Sequence, residues 1–458
     1  MSESKNFLHA WSKPVVIAMV GLPARGKSYI VTKLVRYLKW TGFHCEVFNV
    51  GSYRRKIGLA SVDSNFFDSS NPDSKRLREE MAMAVQQEMY DWLHVSGNAG
   101  RVAIFDATNT SRRRRKVLAD RAASEDAFLL FIESICDDKE TLERNYNLKL
   151  QNDDYRGMDP ESARSDFLRR VAEYEKIYET IEDDEIGGEV AYIKLINVGQ
   201  KVITRLCDGY IPSQIAFYLQ NVHIQPRKIF LSLPAETLDL SDDSYSALTS
   251  PNAGVLSEWG VQYAKDLAQY VFDQVEHVLE GRAKEVLLLA GALTIHNSTS
   301  APLRERFTCY NTALLNELRA GDLQAVPRRY IKELFPEEFE RRQRDKLRYR
   351  YPGVGGESYL DVIERVRPII VELERQRRSV VVICHLAILR CIYAYFMGTS
   401  PEEIPYLEFP KHRIIELSPG PFGCNVATVD PAIEKPTPLK RSSSSTEACD
   451  VYEDKAYC

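Results

Sequence analysis

The fold of the first half of this chain follows from Val15-Val-Ile-Ala-Met-Val20-Gly21-Leu-Pro-Ala-Arg-Gly26-Lys27-Ser28. Its apolar first part predicts a buried β-strand, and the residues after it, Tyr29–Trp40, have helical spacing. The G-x-x-x-x-G-K-S pattern between them is typical of a phosphate-binding loop, whose backbone N–H groups face a phosphate at a helix N-terminus. We expect Lys27 to neutralise the β- and γ-phosphate oxygens, and Ser28 to ligate Mg²⁺.

A carboxylate follows a second apolar run, in Arg101-Val-Ala-Ile-Phe-Asp106-Ala-Thr108-Asn109. If both runs belong to one parallel sheet, Asp106 lies at the same edge as the phosphate-binding loop. There it is expected to hold Mg²⁺ through water, or to accept the proton of a substrate hydroxyl.

Arginines are abundant around these motifs, and four are consecutive, Arg112–Arg115. Helical spacing places Arg112 and Arg115 on one face and Arg114 on another, so the four cannot all point inward. The other candidates are Arg54, Arg55, Arg78, Arg164, Arg169 and Arg170. Phosphoryl transfer needs cations at the transferring group and at any phosphate of the acceptor. Spacing alone leaves open which arginines converge and which form a solvated basic face.

These motifs together favour a kinase that acts on a small phosphorylated molecule. An N-K-x-D motif, which would read guanine, does not follow the phosphate-binding loop. The sequence therefore favours a small-molecule kinase over a GTPase.

Composition restricts the remaining possibilities. The chain has 458 residues and a net charge of −5, which does not suggest a basic nucleic-acid-binding protein. Its longest apolar runs, such as Val286–Leu293, are shorter than the ~18 residues expected of a membrane span. The polar segment Met1–Lys13 does not resemble a secretory signal, and the nine cysteines include no C-x-x-C pair. We expect a cytoplasmic protein that binds neither nucleic acid nor membrane.

Apolar runs alternate with helical segments along most of the chain, which predicts an α/β fold. In the first half, the predicted strands are Val15–Val20, Cys45–Val50, Val102–Phe105, Phe128–Ile132 and Tyr192–Val198. The predicted helices there are Ser28–Trp40, Ser74–His94, Arg112–Ala123, Lys139–Leu150 and Glu161–Ile181. In the second half, the strands are Lys228–Leu233, Val286–Ala290, Val380–Cys384 and Arg413–Leu417. The helices there are Ser257–Leu279, Pro327–Gln343, Ser358–Arg377 and Ala387–Phe396.

Composition also suggests the domain boundaries. Pro226 punctuates the change between the halves, which predicts domains over 1–225 and 226–428. The segment Asp239–Gly254 is rich in Ser, Asp and Asn, and predicts a long loop. The serine-rich residues 429–458 are expected to form a disordered tail.

Four motifs resemble the 6-phosphofructo-2-kinase/fructose-2,6-bisphosphatase family, and the resemblance spans about residues 12–425. They are Gly21-Leu-Pro-Ala-Arg-Gly-Lys-Ser28, Phe48-Asn-Val-Gly-Ser-Tyr-Arg54-Arg55, Phe105-Asp-Ala-Thr-Asn-Thr110 and Phe131-Ile-Glu-Ser-Ile-Cys136. The implied fold is a P-loop kinase domain with a parallel sheet, followed by a histidine-phosphatase-like α/β domain. The implied cofactors are ATP and Mg²⁺, and the implied partners are fructose 6-phosphate and, by analogy, a second copy of the chain.

The resemblance assigns residues position by position. The implied catalytic residues are Lys27, Asp106 and Cys136, although Cys136 is equally compatible with a buried structural thiol. The implied nucleotide-binding residues are Gly21, Leu22, Pro23, Ala24, Arg25, Gly26, Lys27, Ser28, Asn145 and Lys149. Asn145 and Lys149 match the family's N-x-x-x-x-K run with one residue fewer between them. The implied sugar-phosphate residues are Arg54, Arg78, Thr108, Arg114, Arg170 and Tyr174, and the implied metal-site residues are Ser28 and Asp106.

The second half departs from its family at the reaction centre. Such phosphatases carry Arg-His-Gly-Glu after the first strand, whereas this chain has Leu233-Pro234-Ala235-Glu236. Proline offers neither a nucleophile nor a backbone N–H. The second phosphate-binding arginine is missing from Ala290-Gly-Ala-Leu-Thr-Ile-His296. His385 and Glu317 match the second histidine and the acid, but they lack a partner nucleophile, and neither Ser232 nor His296 is expected to replace it.

The sequence therefore predicts a 6-phosphofructo-2-kinase without bisphosphatase activity. Two alternatives stay open. One is a bifunctional enzyme with residual phosphatase activity, against which Leu233 and Pro234 argue. The other is a non-catalytic, metabolite-sensing pseudo-enzyme, against which the intact phosphate-binding loop argues. Arg342, Lys346 and Arg390 remain where the family holds its sugar bisphosphate, and are compatible either with a regulatory pocket or with inherited surface charge.

Overall fold

The computed structural model describes residues 13–433 except 60–61, 63, 69, 96–99, 239–253 and 421–422. The chain divides into two compact units between Val222 and His223, close to the boundary predicted at Pro226. Both units are α/β, which confirms the predicted fold class. In the described part of the chain, no helix is long and apolar enough to cross a membrane.

The first unit is built on a six-stranded sheet in the order β2-β3-β1-β4-β5-β6. Its strands are β1 (Val15–Val20), β2 (His44–Asn49), β3 (Arg101–Asp106), β4 (Phe128–Ile135), β5 (Tyr192–Ile196) and β6 (Lys201–Arg205). The first five strands are parallel, and only β6 runs antiparallel, beside β5. Every residue of β1 and β3 is buried, as expected for central strands covered on both faces.

Among the described residues of the first unit, seven α-helices connect or flank these strands. They are α1 (Lys27–Trp40), α2 (Val50–Lys56), α3 (Pro72–Leu93), α4 (Arg112–Ser124), α5 (Lys139–Lys149), α6 (Pro160–Glu175) and α7 (Tyr210–Asn221). Side-chain caps start several of them, because the first N–H groups of a helix have no partner within it. Asn49 caps α2, Asn71 caps α3 and Ser111 caps α4.

The second unit has its own six-stranded sheet, in the order β12-β11-β7-β10-β8-β9. Its strands are β7 (Ile229–Ser232), β8 (Val286–Gly291), β9 (Cys309–Thr312), β10 (Ser379–Ile383), β11 (Ile414–Pro419) and β12 (Cys424–Val429). The strands β7, β10, β8 and β9 are parallel to one another. At the other edge, β11 pairs antiparallel with β7, and β12 pairs antiparallel with β11. Its helices are α8 (Glu258–His277), α9 (Thr294–Ser300), α10 (Arg328–Leu334), α11 (Pro336–Arg344), α12 (Tyr359–Arg375) and α13 (Leu386–Met397).

The structure corrects two predicted helices. The helix predicted over Pro327–Gln343 is wrong, because the chain breaks at Phe335, where φ is −136° and ψ is 60°, and Pro336 starts a new helix. The helix predicted over Glu161–Ile181 ends early, at Glu175.

Six elements were missed by the sequence analysis, and most of them are short or of mixed polarity. The missed elements are α2, α7, α9, β6, β9 and β12. Val429, which the sequence placed at the start of the tail, is the last residue of β12. Most of the predicted loop, 239–253, and the tail beyond residue 433 lie outside the described residues.

Candidate active site

The phosphate-binding loop leaves β1 and enters α1 as the sequence predicts. Gly21 has φ +134°, and a Cβ there would lie 2.5 Å from the backbone oxygen of Ser134. Gly26, immediately before α1, is left-handed, with φ +91°. Only glycine adopts these conformations without strain, so both glycines of the motif are required by the backbone path.

Lys27 points back into this loop. Its Nζ donates hydrogen bonds to the backbone oxygens of Gly21, at 2.7 Å, and Leu22, at 2.6 Å. Burial lowers the pKa of Lys27, and with the opposing charge of Asp106 and the charges of Lys149, Arg25 and Arg170 included this pKa is about 7. An excess of positive charge therefore surrounds the loop, which favours a bound polyanion.

Asp106 ends β3 and is only 7% exposed. Burial raises the pKa of its carboxyl group, while Lys27 and Lys149 oppose that change. The N–H of Gly21 donates to the backbone oxygen of Thr108 at 2.9 Å, which ties the segment after Asp106 to the phosphate-binding loop. The predicted pair of Asp106 and Lys27 thus shares one site.

The predicted nucleotide-binding residues of α5 also lie at this loop. The amide Nδ2 of Asn145 donates to the backbone oxygen of Ala24 at 3.0 Å. Arg25 donates to the hydroxyl of Tyr146 at 3.1 Å. Because Lys149 influences both Lys27 and Asp106 electrostatically, α5 brings a further cation to the same place.

Two of the predicted sugar-phosphate arginines meet at a carboxylate that sequence analysis did not identify. Arg54, which is only 3% exposed, donates through Nη2 to both oxygens of Asp154, at 2.7 and 2.5 Å. Arg170 donates to the same carboxylate at 3.3 Å, and its guanidinium lies 3.8 Å from the ring centroid of Phe67. Burial would raise the pKa of Asp154, but the hydrogen bond and charge of Arg54 outweigh it, so this pKa is lowered. Asp154 therefore stays ionised and orients both guanidinium groups.

Three further predicted residues, Arg78, Arg114 and Tyr174, lie near this pair. Arg78 donates to the backbone oxygen of Phe66 at 2.7 Å. Burial, together with the charge of Arg78, lowers the pKa of Arg114, while Tyr174 acts in the opposite direction. The ring of Tyr174 lies 5.9 Å from that of Phe67. We call Arg54, Arg78, Arg114 and Arg170 the arginine cluster.

The structure also distinguishes the four consecutive arginines. Arg115 is fully buried and donates to both carboxylate oxygens of Glu185, at 2.8 and 2.6 Å. Arg112 pairs with Asp184 at 3.0 Å, and Arg113 is exposed. Of the four, only Arg114 joins the cluster; its Nε donates to the side-chain oxygen of Asn109 at 3.3 Å.

Cys136 lies buried just beyond the end of β4. Burial raises the pKa of its thiol, although the charge of Arg25 acts in the opposite direction. The thiol is therefore protonated near neutral pH, and its catalytic role stays a prediction.

In the second unit, the residues directly after the first parallel strand, β7, do not include a nucleophile. Ser232 ends β7, and its hydroxyl is engaged with the hydroxyl of Tyr263 at 2.8 Å. The N–H of Ala235 donates to Thr299 at 2.9 Å. Leu233 and Pro234, which lie between Ser232 and Ala235, offer no group that could attack phosphorus.

His296 occupies the interior of the same unit. It is fully buried, neither ring nitrogen has a hydrogen-bond partner, and its ring lies edge-on to His385 at 4.7 Å. Burial, together with the nearby His385, lowers the pKa of His296 to about 3. His296 is thus a neutral residue packed against the Cα of Gly291, where an added Cβ would lie 2.3 Å from its ring.

A pocket of about 170 Å³ lies beside His385 in the second unit, because its lining residue Glu317 is 3.5 Å from the His385 ring. Its other lining residues include Arg342, Lys346, Tyr359 and Arg390. Burial and the charges of Arg342 and Arg390 lower the pKa of Lys346. Arg390 is held by hydrogen bonds to the backbone oxygen of Leu407 and the hydroxyl of Tyr359.

Three residues of the kinase-like site were missed by sequence analysis: Asn49, Phe67 and Asp154. Asn49 stands inside the quoted Phe48–Arg55 motif, directly after an apolar strand, and asparagine is a preferred helix N-cap, so its position was a usable signal. Asp154 lies in a polar segment without periodicity, and only the folded chain brings it to Arg54.

Comparison with known proteins agrees with this division into two units. Residues 4–226 match the family model described as 6-phosphofructo-2-kinase. Residues 255–430 match the model of the histidine phosphatase superfamily, branch 1.

Several curated proteins are similar over nearly the whole chain. The 6-phosphofructo-2-kinase 1 of Saccharomyces cerevisiae is 42% identical over 89% of this chain, which spans about half (51%) of the length of that enzyme. The 6-phosphofructo-2-kinase/fructose-2,6-bisphosphatase of Aquarana catesbeiana is 38% identical, with 97% of this chain and 92% of that one covered. The human 6-phosphofructo-2-kinase/fructose-2,6-bisphosphatase 3 is 36% identical, with 95% and 83% covered. This chain belongs to the 6-phosphofructo-2-kinase/fructose-2,6-bisphosphatase family.

Proposed function

We propose that this protein transfers the γ-phosphate of ATP to the 2-hydroxyl of fructose 6-phosphate, forming fructose 2,6-bisphosphate and ADP. The observation that carries the proposal is the joining of two sites in one unit. Lys27 of the phosphate-binding loop lies within the electrostatic influence of both Asp106 and Arg170. Arg170 belongs to the arginine cluster, so a nucleotide phosphate and an anionic acceptor can be held side by side.

The loop residues Gly21–Ser28 supply the nucleotide end of this site. Their backbone N–H groups and Lys27 would hold the phosphates of ATP, with Asn145 and Lys149 at the same end. Ser28 and Asp106 would hold Mg²⁺, which neutralises charge on the phosphate oxygens when bound. Mg²⁺ in kinases takes few protein ligands and keeps several waters, so two oxygen-bearing side chains suit it.

The arginine cluster supplies the acceptor end. Its guanidinium groups, with Tyr174 and Thr108, would bind the 6-phosphate and orient the sugar. Because Asp154 and Phe67 already hold Arg54 and Arg170 in place, little ordering remains to be done when the sugar binds.

In the transfer step, the sugar oxygen forms a bond to the γ-phosphorus while the bond to the β–γ bridging oxygen breaks. Asp106 accepts the hydrogen bond of the 2-hydroxyl and takes its proton, and Lys27 stabilises charge on the phosphate oxygens. The electron pair of the broken bond leaves with ADP.

We propose that the second unit lacks bisphosphatase activity. Phosphohistidine chemistry needs a nucleophile and cations around the transferred group. Leu233, Pro234 and the neutral, buried His296 provide neither. We further propose that the protein forms a homodimer, from the family resemblance. We also propose a cytoplasmic location, because the seven cysteines in the described residues are all free thiols.

The test is ADP release by the full chain with ATP and Mg²⁺, with and without fructose 6-phosphate. We expect sugar-dependent ADP and an equal amount of fructose 2,6-bisphosphate. Asp106→Asn is the matched variant and should lower kcat by about 10²-fold or more, because general base catalysis typically contributes that much. ADP release that depends on glucose 6-phosphate instead would show a different acceptor, and no acceptor dependence would contradict the proposal.

A further inference from the structure

Asn49 is the last residue of β2, and it is the register partner of Asp106 at the end of the neighbouring parallel strand β3. The two side chains therefore leave the sheet at the same edge. Asn49 also precedes α2, the helix that carries Arg54. It thus stands between the two halves of the proposed kinase site.

Both ends of the Asn49 amide are used. Its Oδ1 accepts the N–H of Ser52 at 2.7 Å, which caps the start of α2. Its Nδ2 donates to Oδ2 of Asp106 at 2.6 Å. The amide cannot be flipped, because a flip would set oxygen against a carboxylate and N–H groups against the N–H of Ser52.

This arrangement has two consequences. Asp106 has one oxygen held by Asn49, so the carboxylate cannot rotate freely and its other oxygen stays available to substrate or metal. The cap fixes the first turn of α2, and Arg54 further along α2 is held against Asp154. One side chain therefore sets the orientation of the carboxylate and the position of an arginine of the cluster.

We propose that Asn49 is a positioning residue that couples the Asp106 carboxylate to helix α2. The inference rests on the proposed kinase function for its kinetic readout, although its geometric content does not depend on that function. The side-chain contacts described for Asn49 are with Asp106 and with the N–H of Ser52. Asn49 acts through Asp106 and through the cap.

Substitutions can separate the two ends of the amide. Asn49→Asp keeps an oxygen for the cap, since Asp is as good an N-cap as Asn, but sets a carboxylate against Asp106 in place of a donor. Asn49→Ala removes both contacts. The matched control is Asn71→Asp, because Asn71 caps α3 through the N–H of Ser74 and makes no described contact with Asp106.

In steady-state kinetics of the full chain, we expect Asn49→Asp to lower kcat tenfold or more while the KM for fructose 6-phosphate changes less than threefold. Asn49→Ala should lower kcat and also raise that KM, because α2 loses its cap. Asn71→Asp should stay within twofold of the wild type in kcat. Thermal unfolding of every variant shows whether it is folded.

Two further measurements report on geometry without turnover. Calorimetric binding of fructose 6-phosphate alone should be unchanged in Asn49→Asp and weakened in Asn49→Ala. Crystal structures should show the Asp106 carboxylate rotated in Asn49→Asp, with α2 starting at the same residue as in the wild type.

Unchanged kcat in Asn49→Asp, or an effect on KM alone, would overturn the inference. If the wild type makes no fructose 2,6-bisphosphate, the proposed function is wrong, and the crystal structures alone then test whether Asn49 positions Asp106. An Asp106 carboxylate in the same orientation in wild type, Asn49→Asp and Asn49→Ala would show that Asn49 does not position it.

Discussion

Neighbouring arginines at the start of α4 have different partners, although the sequence presents them as one run. Arg115 points into the protein and pairs with Glu185. Arg114 turns toward Arg78 and Tyr174 instead. Successive residues on a helix are rotated by about 100°, so adjacent identical side chains meet different surroundings.

Arg114→Lys should raise the KM for fructose 6-phosphate about tenfold, with a smaller effect on kcat. Lysine keeps the charge but loses the planar, two-pronged donor geometry that suits a phosphate. Steady-state kinetics with varied sugar concentration measure the effect.

Arg113→Lys is the matched control, because Arg113 lies in the same turn of α4 and is exposed. Its KM should equal that of the wild type. Equal values for both variants would remove Arg114 from the proposed acceptor site.

At the scale of elements, the phosphate-binding loop depends on close backbone approach. Gly21 lies against the backbone of Ser134 at the end of β4, and the Ser134 hydroxyl donates to the backbone oxygen of Arg25. The loop between β1 and α1 is therefore shaped by a strand more than 100 residues further along the chain.

Gly21→Ala should abolish measurable ATP binding or weaken it by tenfold or more. The new Cβ would meet the backbone oxygen of Ser134 at 2.5 Å, and a backbone oxygen cannot move aside as a flexible side chain can. An alanine held at this positive φ also costs about 1–3 kcal/mol in backbone strain. Calorimetric titration with ATP and Mg²⁺ gives the affinity.

Gly157→Ala is the comparison, since Gly157 also has positive φ, +78°, but nothing lies within 4 Å of an added Cβ. It should lose some stability and keep its ATP affinity. Normal ATP affinity in Gly21→Ala would show that the loop rearranges without cost.

Strands that are near-continuous apolar runs were predictable from the sequence, whereas strands of mixed polarity and the shortest helices were not. The strands β1, β3, β8 and β10 are near-continuous apolar runs, which indicate central strands directly. Helix α2 has only seven residues, about two turns, which is too short for a repeated pattern to stand out, and its start depends on the cap of Asn49. The break at Phe335 and Pro336 was readable from the proline, since the residue before proline avoids helical backbone.

At the scale of the whole molecule, two α/β units of similar architecture have retained different chemical groups. In the first unit, the phosphate-binding loop, Asp106 and the arginine cluster are all present. In the second, the segment after β7 lacks a nucleophile, and His296 is held neutral in the interior. A fold does not by itself imply an activity, so the chemistry of each unit has to be argued from its own side chains.

Fructose 2,6-bisphosphate labelled at the 2-phosphate should persist when incubated with the full chain in the absence of ATP. Leu233-Pro234-Ala235 places no histidine after β7, so under the proposed loss of phosphatase activity we expect no covalent phosphoenzyme. The measurement is the release of labelled phosphate over time, with alkaline quenching, because a phosphohistidine and the 2-phosphate of this sugar are both hydrolysed by acid.

A family member with phosphatase activity serves as the positive control, and heat-denatured protein as the background. Release above that background, or label retained on the protein, would mean that another residue attacks phosphorus.

The order of the motifs along the chain already indicated the phosphate-binding loop, the α/β class and the loss of the phosphatase nucleophile. These are local properties, because a loop needs its glycines in sequence and a missing histidine is missing in any fold. The partnership of Arg54 and Arg170 with Asp154, the separate orientations of Arg114 and Arg115, and the contact of Asn49 with Asp106 are not local. They join residues brought together by strand order and helix packing, and such contacts follow only from the folded chain.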